Sequence, residues 1–268
     1  MKCNTIYNKS CRKMSELEDG SIGLVVTSPP YFSAKDYAEN LEYSFDPGSY
    51  KEYLIFLKDV FSECKRVLKR GRYCIINTSN IIVMTSKYRV DNIRLPVAFD
   101  THSIMQELGY EFIDDIIWKK PESACINRQA NFFQTRKPLS YRPNQIIEYI
   151  FVYRKNEKGE RTADFFIDED NEIIEKSKVI GDYETSNVWE MPPQTGSKHP
   201  APFPYLLPMN AIKYYSLKGD IVLDPFFGSG TTGYAAQNLK RKYVGYEISK
   251  EYISLANARL ADMFLEFN

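Results

Sequence analysis

Several features that define other protein classes are absent from this sequence of 268 residues. No apolar run approaches the length that spans a bilayer, and the opening stretch, MKCNTIYNKS, lacks the apolar segment of a signal peptide. We therefore expect a cytoplasmic protein. The five cysteines are odd in number and form no CxxC pair, which indicates reduced, mostly buried thiols, and we predict no metal site.

A surplus of charge of one sign is also absent, because 35 basic residues balance 35 acidic ones. The composition alone therefore does not indicate a nucleic-acid-binding protein. The distribution is uneven, however: residues 119–161 carry ten Lys/Arg against four Asp/Glu, and residues 162–175 carry six acids and no base. Such a basic segment can face phosphates, but a solvated loop with a chance surplus explains the charge about equally well.

Apolar patterns in the first part of the chain predict both strands and helices. Short apolar runs predict strands at 21–27, 72–77, 112–118 and 146–153. Helical spacing predicts one helix from Tyr50 to Arg70, with Gly71 as its stop signal. A second helix is predicted from about Pro96 to just before Gly109.

Strands and helices alternate more regularly near the C-terminus. The pattern predicts a strand, a helix, a strand and a helix at 220–226, 230–239, 242–248 and 250–264. Such alternation is typical of a parallel sheet with helices on both faces, so we predict an α/β, doubly wound fold. Residues 156–197 are polar and break the alternation, and we interpret them as an insertion.

The turn DPFFGSGTTG, between a predicted strand and helix, suits a cofactor. Its glycines satisfy GxGxxG, and Glu247 ends the following strand, where an acid receives ribose hydroxyls. The glycine pattern alone leaves open NAD, FAD or S-adenosylmethionine. Asp224, just before the glycines, suits a cationic, amino-acid-bearing cofactor better than a pyrophosphate, which favours S-adenosylmethionine.

A second unusual stretch, VVTSPPY, ends the predicted strand at 21–27 with two prolines that donate no backbone hydrogen bond. The Ser28 hydroxyl and the carbonyls of Ser28 and Pro29 are acceptors, and Tyr31 offers a flat face. Such a tip suits an –NH₂ group on a flat ring, for example a nucleobase flipped out of a duplex. Methylation of cytosine C5 is excluded, because that chemistry usually needs a cysteine after a proline and this chain has none.

These two motifs, TSPPY at 27–31 and DPFFGSGTT at 224–232, resemble those of β-class amino-group DNA methyltransferases of the kind found in restriction–modification systems. The resemblance covers most of the chain and includes the order of the motifs. It implies a Rossmann-like sheet with a target-recognition insertion, S-adenosyl-L-methionine as cofactor and double-stranded DNA as substrate. The implied division is a catalytic half (1–155), a recognition insertion (156–197, with a basic flank from about 119) and a cofactor-binding half (198–268).

The resemblance also implies roles for individual residues. The target amine and base would be held by Ser28, Pro29, Pro30 and Tyr31. The cofactor would be bound by Asp224, Phe226, Gly228, Ser229, Gly230 and Thr231, with Glu247 on the ribose hydroxyls and with His199 and Pro200 at the methionine end. The candidate phosphate contacts are Arg128, Arg136, Lys137 and Arg142.

The target base is the finer question. In this family a serine at the position of Ser28 is more often found in cytosine-N4 enzymes, and an acid or amide in adenine-N6 enzymes, so we expect cytosine N4 with adenine N6 as the alternative. An RNA or protein amine methyltransferase usually places the glycine motif before Pro-Pro-Tyr, the reverse of the order here. An NAD oxidoreductase would leave the proline pair unexplained. A separate cognate restriction endonuclease and a second copy of the chain are further candidate partners.

Overall fold

The structure is a computed structural model that describes residues 2–30, 32, 50–83, 93–125, 136–139, 141, 143–156, 171–193 and 204–266. The strands in these ranges are β1 (Thr5–Tyr7), β2 (Ile22–Thr27), β3 (Leu68–Thr78), β4 (Ile81–Val83), β5 (Ile93–Leu95), β6 (Glu111–Lys119), β7 (Ile147–Arg154), β8 (Val188–Glu190), β9 (Ile221–Asp224) and β10 (Lys242–Tyr246). The helices are α1 (Tyr50–Val67), α2 (Val97–Glu107), α3 (Asn171–Ser177), α4 (Leu206–Tyr215), α5 (Thr231–Asn238) and α6 (Lys250–Glu266).

Eight strands form one sheet in the order β1-β10-β9-β2-β3-β7-β6-β8, and β4 pairs with β5 in a small separate ladder. The predicted doubly wound α/β fold is confirmed. Neighbouring strands of the large sheet are parallel except at β7, which is antiparallel to both β3 and β6. The reversed direction of β7 was not predicted, because the apolar pattern of a strand carries no direction.

Both faces of the central strands are covered by apolar clusters. Val25 of β2 belongs to a cluster with Leu57 and Phe61 of α1, whereas its neighbours Leu24 and Val26 belong to a second cluster, on the face of α4 and α5. All six residues of β2 are buried. A strand covered in this way has little access to solvent along its length, so the groups at its end are the ones that can meet a ligand.

The junction after α1 differs from the prediction. The helix ends at Val67, and β3 begins at once with the fully buried Leu68, which pairs with Ile22. The register between β2 and β3 shifts before Leu24, and Gly71 lies inside β3 with a φ of 76°. The glycine therefore serves an irregularity within the strand, where a left-handed backbone conformation is needed, and does not stop the helix.

The strand directions bring the sequence motifs to one place. The parallel strands β2, β3, β9 and β10 end at Thr27, Thr78, Asp224 and Tyr246, on the side of the sheet that we call the carboxyl edge. Strand β6 also ends there, and the antiparallel β7 begins there. Consequently the TSPPY tip, the glycine turn and the connection from β6 to β7 all emerge at the carboxyl edge.

Two further expectations concern the cysteines and the membrane. All five cysteines are unpaired thiols, and Cys11, Cys64 and Cys74 are buried, as predicted. Burial raises the pKa of each of these three thiols well above its usual range, which favours the unreactive protonated form. Within the described ranges, every helix is too short or too polar to cross a membrane.

Candidate active site

The two sequence motifs meet through the pairing of β2 with β9, in which Val25 lies opposite Leu223. Beyond this pair, at the ends of the two strands, the Thr27 hydroxyl donates a hydrogen bond of 2.7 Å to Oδ1 of Asp224. Both side chains are almost fully buried. The last residue before the SPPY tip is therefore fixed directly to the first residue of the glycine motif.

Asp224 organises the turn that follows it. Its Oδ1 also accepts a hydrogen bond from the backbone N–H of Phe226 at 3.0 Å, and its Oδ2 accepts one from the Thr232 hydroxyl at 2.6 Å. Burial raises the pKa of this carboxyl to about 6, although the three hydrogen bonds favour the ionised form. The carboxylate thus connects the end of β2, the glycine turn and the first turn of α5.

The two phenylalanines of the DPFF stretch have different surroundings. Phe227 is buried and stacks on Tyr243, and a Cβ atom added at Gly233 or Gly245 would approach its ring within 2.5 Å. The glycines at these two positions therefore make room for Phe227 between α5 and β10. Phe226 is half-buried instead, with its ring centroid 5.8 Å from that of Phe56, so part of its face is available to a ligand.

Glu247 lies directly after β10, beside the same turn. Its Oε2 accepts a hydrogen bond from Gly228 N–H and its Oε1 one from Ser249 N–H, both at 2.8 Å. Burial raises the pKa of this carboxyl. Each carboxylate oxygen can accept more than one hydrogen bond, so Glu247 retains acceptor capacity for ligand hydroxyls.

The residues present fit the cofactor that the sequence motifs imply. Asp224 and Glu247 place two carboxyl groups beside one turn, and such acceptors suit a ligand with a positive charge and ribose hydroxyls. Ser229 and Thr231 are buried in the same turn, and the Thr231 hydroxyl accepts a hydrogen bond of 2.6 Å from Arg259. The structure thus brings together the predicted residues Asp224, Phe226, Gly228, Ser229, Gly230, Thr231 and Glu247.

The tip of β2 lies next to this turn. Ser28 and Pro30 are half-buried and Pro29 is buried, whereas Tyr31 lies outside the described residues. The hydroxyl oxygen of Ser28 accepts a long hydrogen bond, 3.4 Å, from the side-chain amide of Asn77 at the end of β3. Ser28 therefore contacts β3 through Asn77, and its chain neighbour Thr27 bonds to Asp224.

A buried polar network continues from Asn77, and the sequence motifs do not predict it. Asn77 Nδ2 donates to Oε2 of Glu148 at 2.7 Å, and the Lys120 ammonium forms an ion pair with Oε1 of Glu148. Oδ1 of Asn77 is buried and has no hydrogen-bond partner among the described residues, which costs about 1–3 kcal/mol. The sequence signals for this network are Asn77 in the apolar run IIN and Glu148 in the apolar run IIEYIFVY, two polar residues where apolar ones are expected.

The candidate DNA contacts are described only in part. Arg136 and Lys137 are exposed and belong to the connection between β6 and β7, which starts and ends at the carboxyl edge. Arg128, Arg142, His199 and Pro200 lie outside the described residues. Other basic residues of the segment have partners within the fold, in the pairs Lys119–Glu190, Lys120–Glu148 and Arg154–Glu111.

The described part of the predicted recognition insertion begins near the opposite edge of the sheet. The Ser177 hydroxyl accepts a hydrogen bond from Lys218 N–H, just before β9 begins. Asn187, just before β8, donates its side-chain N–H to the Asp115 carbonyl. Ser177 therefore lies near the start of β9, whereas Asn187 contacts the middle of β6, and β8 then runs beside β6 toward the carboxyl edge.

Comparison with known proteins gives a consistent assignment. The DNA methylase family model matches residues 22–258. The chain is 30% identical over 272 residues to the Type II methyltransferase M.Cfr9I of Citrobacter freundii, across 92% of this chain and 84% of that protein. It is also 30% identical to the Type II beta methyltransferase M.BslI of Bacillus sp. (strain NEB-606), across 95% of this chain but 27% of that longer protein.

A solved structure agrees with the fold. TTHA0409 of Thermus thermophilus, in complex with S-adenosyl-L-methionine, superposes with a TM-score of 0.71 at 26% identity and covers 96% of this chain and 93% of that one. The family match includes both motifs that meet at the carboxyl edge. The chain therefore belongs to the DNA methylase family, as an amino-group DNA methyltransferase of the β class that uses S-adenosyl-L-methionine.

Proposed function

We propose that this chain transfers a methyl group from S-adenosyl-L-methionine to the exocyclic N4 amine of cytosine in a specific duplex sequence. The observation that carries the proposal is the position of Ser28. Its hydroxyl lies at the tip of a buried strand, and its neighbour Thr27 is bonded to Asp224 of the cofactor turn. In this family a serine at this position is more often found in cytosine-N4 enzymes. Methylation of adenine N6 is the alternative.

The proposed chemistry depends mainly on the acceptors at the tip of β2. The lone pair of an exocyclic amine is delocalised into the ring, so the amine is a weak nucleophile. Acceptors at Ser28 and at the Pro29 carbonyl hold its hydrogens and favour a pyramidal nitrogen with its lone pair directed at the methyl group. The nitrogen gains the methyl group as the bond from methyl to sulfur breaks, and the proton that it then loses passes to solvent water. Tyr31 is assigned to stack on the flipped base.

The cofactor supplies the methyl group on a positively charged sulfur. Glu247 would bind its ribose hydroxyls, and Phe226 would line the same site. Asp224 would hold the turn in shape, because its oxygens already accept hydrogen bonds from Thr27, Phe226 and Thr232. His199 and Pro200 are assigned to the methionine end. The proposed mutational signature is that Ser28→Ala and Tyr31→Ala lower turnover far more than cofactor affinity.

DNA would approach the carboxyl edge, because the target base must reach Ser28. We propose that Arg128, Arg136, Lys137 and Arg142 contact phosphates there, since the connection that carries them joins β6 to β7 at that edge. Sequence recognition is assigned to this basic flank together with the insertion at 156–197. In the described part of the insertion, Ser177 contacts the opposite edge and Asn187 the middle of β6, so we expect this part to support the insertion and not to touch bases.

The name Type II methyltransferase, carried by M.Cfr9I, supports a role in restriction and modification, with a separate endonuclease as partner. A homodimer is a further proposal and is tested by the mass of the protein in solution.

The target base and the DNA recognition sequence are tested together in cells. The chain and its Ser28→Ala variant are expressed in a bacterial strain without DNA methyltransferases of its own, and the genomic DNA is sequenced by a method that detects modified bases. We expect N4-methylcytosine at one short sequence, and none with Ser28→Ala. N6-methyladenine would replace the base assignment with its alternative. Unmodified DNA from cells containing folded, cofactor-binding protein would contradict the proposal.

A further inference from the structure

The polar network Ser28–Asn77–Glu148–Lys120 crosses four neighbouring strands at the carboxyl edge. Its members lie just after β2, near the end of β3, near the start of β7 and just after β6, and these strands are adjacent in this order. The contacts are Asn77 Nδ2 to Ser28 Oγ at 3.4 Å, Asn77 Nδ2 to Glu148 Oε2 at 2.7 Å, and the ion pair of Glu148 with Lys120. The network therefore connects the proposed catalytic tip to the start of the basic connection.

Burial makes the network rigid. Asn77 and Glu148 are almost fully buried, and the Lys120 side chain is largely buried. The Lys120 ammonium lies 4.6 Å from the ring centroid of Trp118, whose indole N–H donates to the Met191 carbonyl at 2.8 Å. A charge held by a carboxylate and by an aromatic ring that is itself anchored has little freedom to move.

Glu148 determines which way the Asn77 amide faces. An ionised carboxylate only accepts hydrogen bonds, so Asn77 must present its NH₂ group to Glu148 and not its oxygen. The second hydrogen of the same NH₂ group points to Ser28 Oγ. Ser28 then accepts from Asn77, and its own hydrogen must point elsewhere. Without the charge on Glu148 the amide could turn over, present its oxygen to Ser28 and draw the hydroxyl hydrogen toward itself.

We propose that Asn77, Glu148 and Lys120 are positioning residues for methyl transfer, which set the direction of the Ser28 hydroxyl through the Asn77 amide. This inference rests on the role proposed for Ser28. With its lone pair toward Asn77 occupied, Ser28 keeps one lone pair for a hydrogen of the target amine and its hydrogen for the adjacent ring nitrogen. If the Asn77 amide could turn over, the Ser28 lone pair and the Ser28 hydroxyl hydrogen would point away from the target base in part of the molecules.

The first test is a double-mutant cycle between Asn77 and Ser28. The turnover number and the dissociation constant of S-adenosyl-L-methionine are measured for the wild type, Asn77→Ala, Ser28→Ala and the double variant, on duplex DNA. We expect Asn77→Ala to lower kcat by about 10- to 100-fold with cofactor affinity unchanged within about twofold. In the Ser28→Ala background, Asn77→Ala should cause no further loss, because its effect acts through the hydroxyl.

The cycle separates the two claims. Full turnover in Ser28→Ala would refute the proposed role of Ser28 itself. Slow turnover in Ser28→Ala, with the same further loss from Asn77→Ala in both backgrounds, would leave Ser28 in place and overturn the positioning role. Loss of cofactor binding in Asn77→Ala would also overturn it, since the residue would then act on the cofactor site.

The second test addresses the charge, with a matched control on the same two strands. Lys120→Met should lower kcat, whereas Lys120→Arg should restore it because a guanidinium can still donate to Glu148. The control is Glu111→Gln, which removes the negative charge from the Glu111–Arg154 ion pair at the opposite ends of β6 and β7. It should lower the melting temperature without lowering kcat in the folded protein. Equal losses of kcat in Lys120→Met and Glu111→Gln would mean a general structural effect and would overturn the proposal.

Discussion

The hydroxyl of Thr27 donates a 2.7 Å hydrogen bond to the carboxylate of Asp224, although 197 positions separate the two residues in the sequence. The bond exists because β2 and β9 are neighbours in the sheet and end at the same edge. The order of the two motifs along the chain therefore does not affect their distance in space. A buried hydroxyl–carboxylate contact thus joins the SPPY tip to the cofactor turn, beyond the last paired residues of β2 and β9.

Thr27→Val tests the structural importance of this contact. The valine keeps the shape of threonine but removes the donor, so Asp224 loses one of three hydrogen bonds in a buried site. We expect a decrease of about 1–3 kcal/mol in the free energy of unfolding, measured by chemical denaturation.

The matched control is Thr101→Val in α2. Thr101 is as fully buried as Thr27, and its hydroxyl also makes a bond of 2.7 Å, but to the Val97 carbonyl within its own helix. That carbonyl keeps a backbone partner when the hydroxyl is removed, so the loss should be smaller. If Thr101→Val lowered the free energy of unfolding as much as Thr27→Val, the hydrogen bond to the Asp224 carboxylate would contribute no more than an ordinary bond within a helix.

Asp224 should make the stability depend on pH. Burial raises its pKa from an ordinary value of 3.8 to about 6, so the folded protein binds more protons than the unfolded chain between these values. The contribution of this group to the free energy of unfolding is therefore greatest below pH 4 and is lost as the pH rises to about 6. The difference in free energy of unfolding between the wild type and Asp224→Asn should therefore fall by on the order of 3 kcal/mol across this window. A difference that is flat with pH would contradict the raised pKa.

Glu247→Gln should weaken cofactor binding. The glutamine amide has one acceptor oxygen, so it cannot offer a separate oxygen to each of Gly228 N–H and Ser249 N–H as the carboxylate does. We expect the dissociation constant of S-adenosyl-L-methionine, measured by calorimetry, to rise by about tenfold or more. Glu251→Gln, at an exposed position in the first turn of α6, is the control and should leave the constant unchanged. Equal binding by both variants would remove Glu247 from the cofactor site.

Gly230→Ala should destabilise the turn before α5. Gly230 has a φ of 81°, and an added Cβ would lie 2.9 Å from the Cβ of Ala256 in α6. Gly181 has the same φ but nothing within 4 Å of an added Cβ, so Gly181→Ala isolates the backbone strain, about 1–2 kcal/mol. Gly230→Ala should lower the free energy of unfolding by a further ~1–3 kcal/mol. Equal losses of unfolding free energy in the two variants would show that Ala256 in α6 moves away from the added Cβ without a cost in stability.

The sequence predicted the elements that have strong apolar patterns and strong turn chemistry. Strands β2, β9 and β10 and helices α2 and α5 were predicted within a few residues, since buried runs and glycine or proline boundaries are local signals. Strands β1 and β8 were missed, because three residues are too few to show a period. The prediction that Gly71 stops α1 was wrong. A glycine after a helical pattern looks the same in the sequence whether it ends a helix or allows a left-handed backbone conformation within a strand.

The candidate site was predictable where motifs carry it and not where distant contacts do. Ser28, Asp224 and Glu247 stand in recognisable local patterns at strand ends. The contacts of Asn77 with Glu148 and of Glu148 with Lys120 join residues 71 and 28 positions apart. Nothing in the local sequence indicates that partnership, because it depends on the reversed direction of β7, which places the start of that strand beside the end of β3.

The most direct test of the central claim, methylation of cytosine N4, is an analysis of the product formed by the purified protein. The chain is incubated with S-adenosyl-L-methionine labelled in its methyl group and with duplex DNA of mixed sequence, which is then digested to nucleosides and analysed by mass spectrometry. We expect label in N4-methylcytosine, and its loss with Ser28→Ala. Label in N6-methyladenine, with no label in cytosine, would contradict the assignment of the target base.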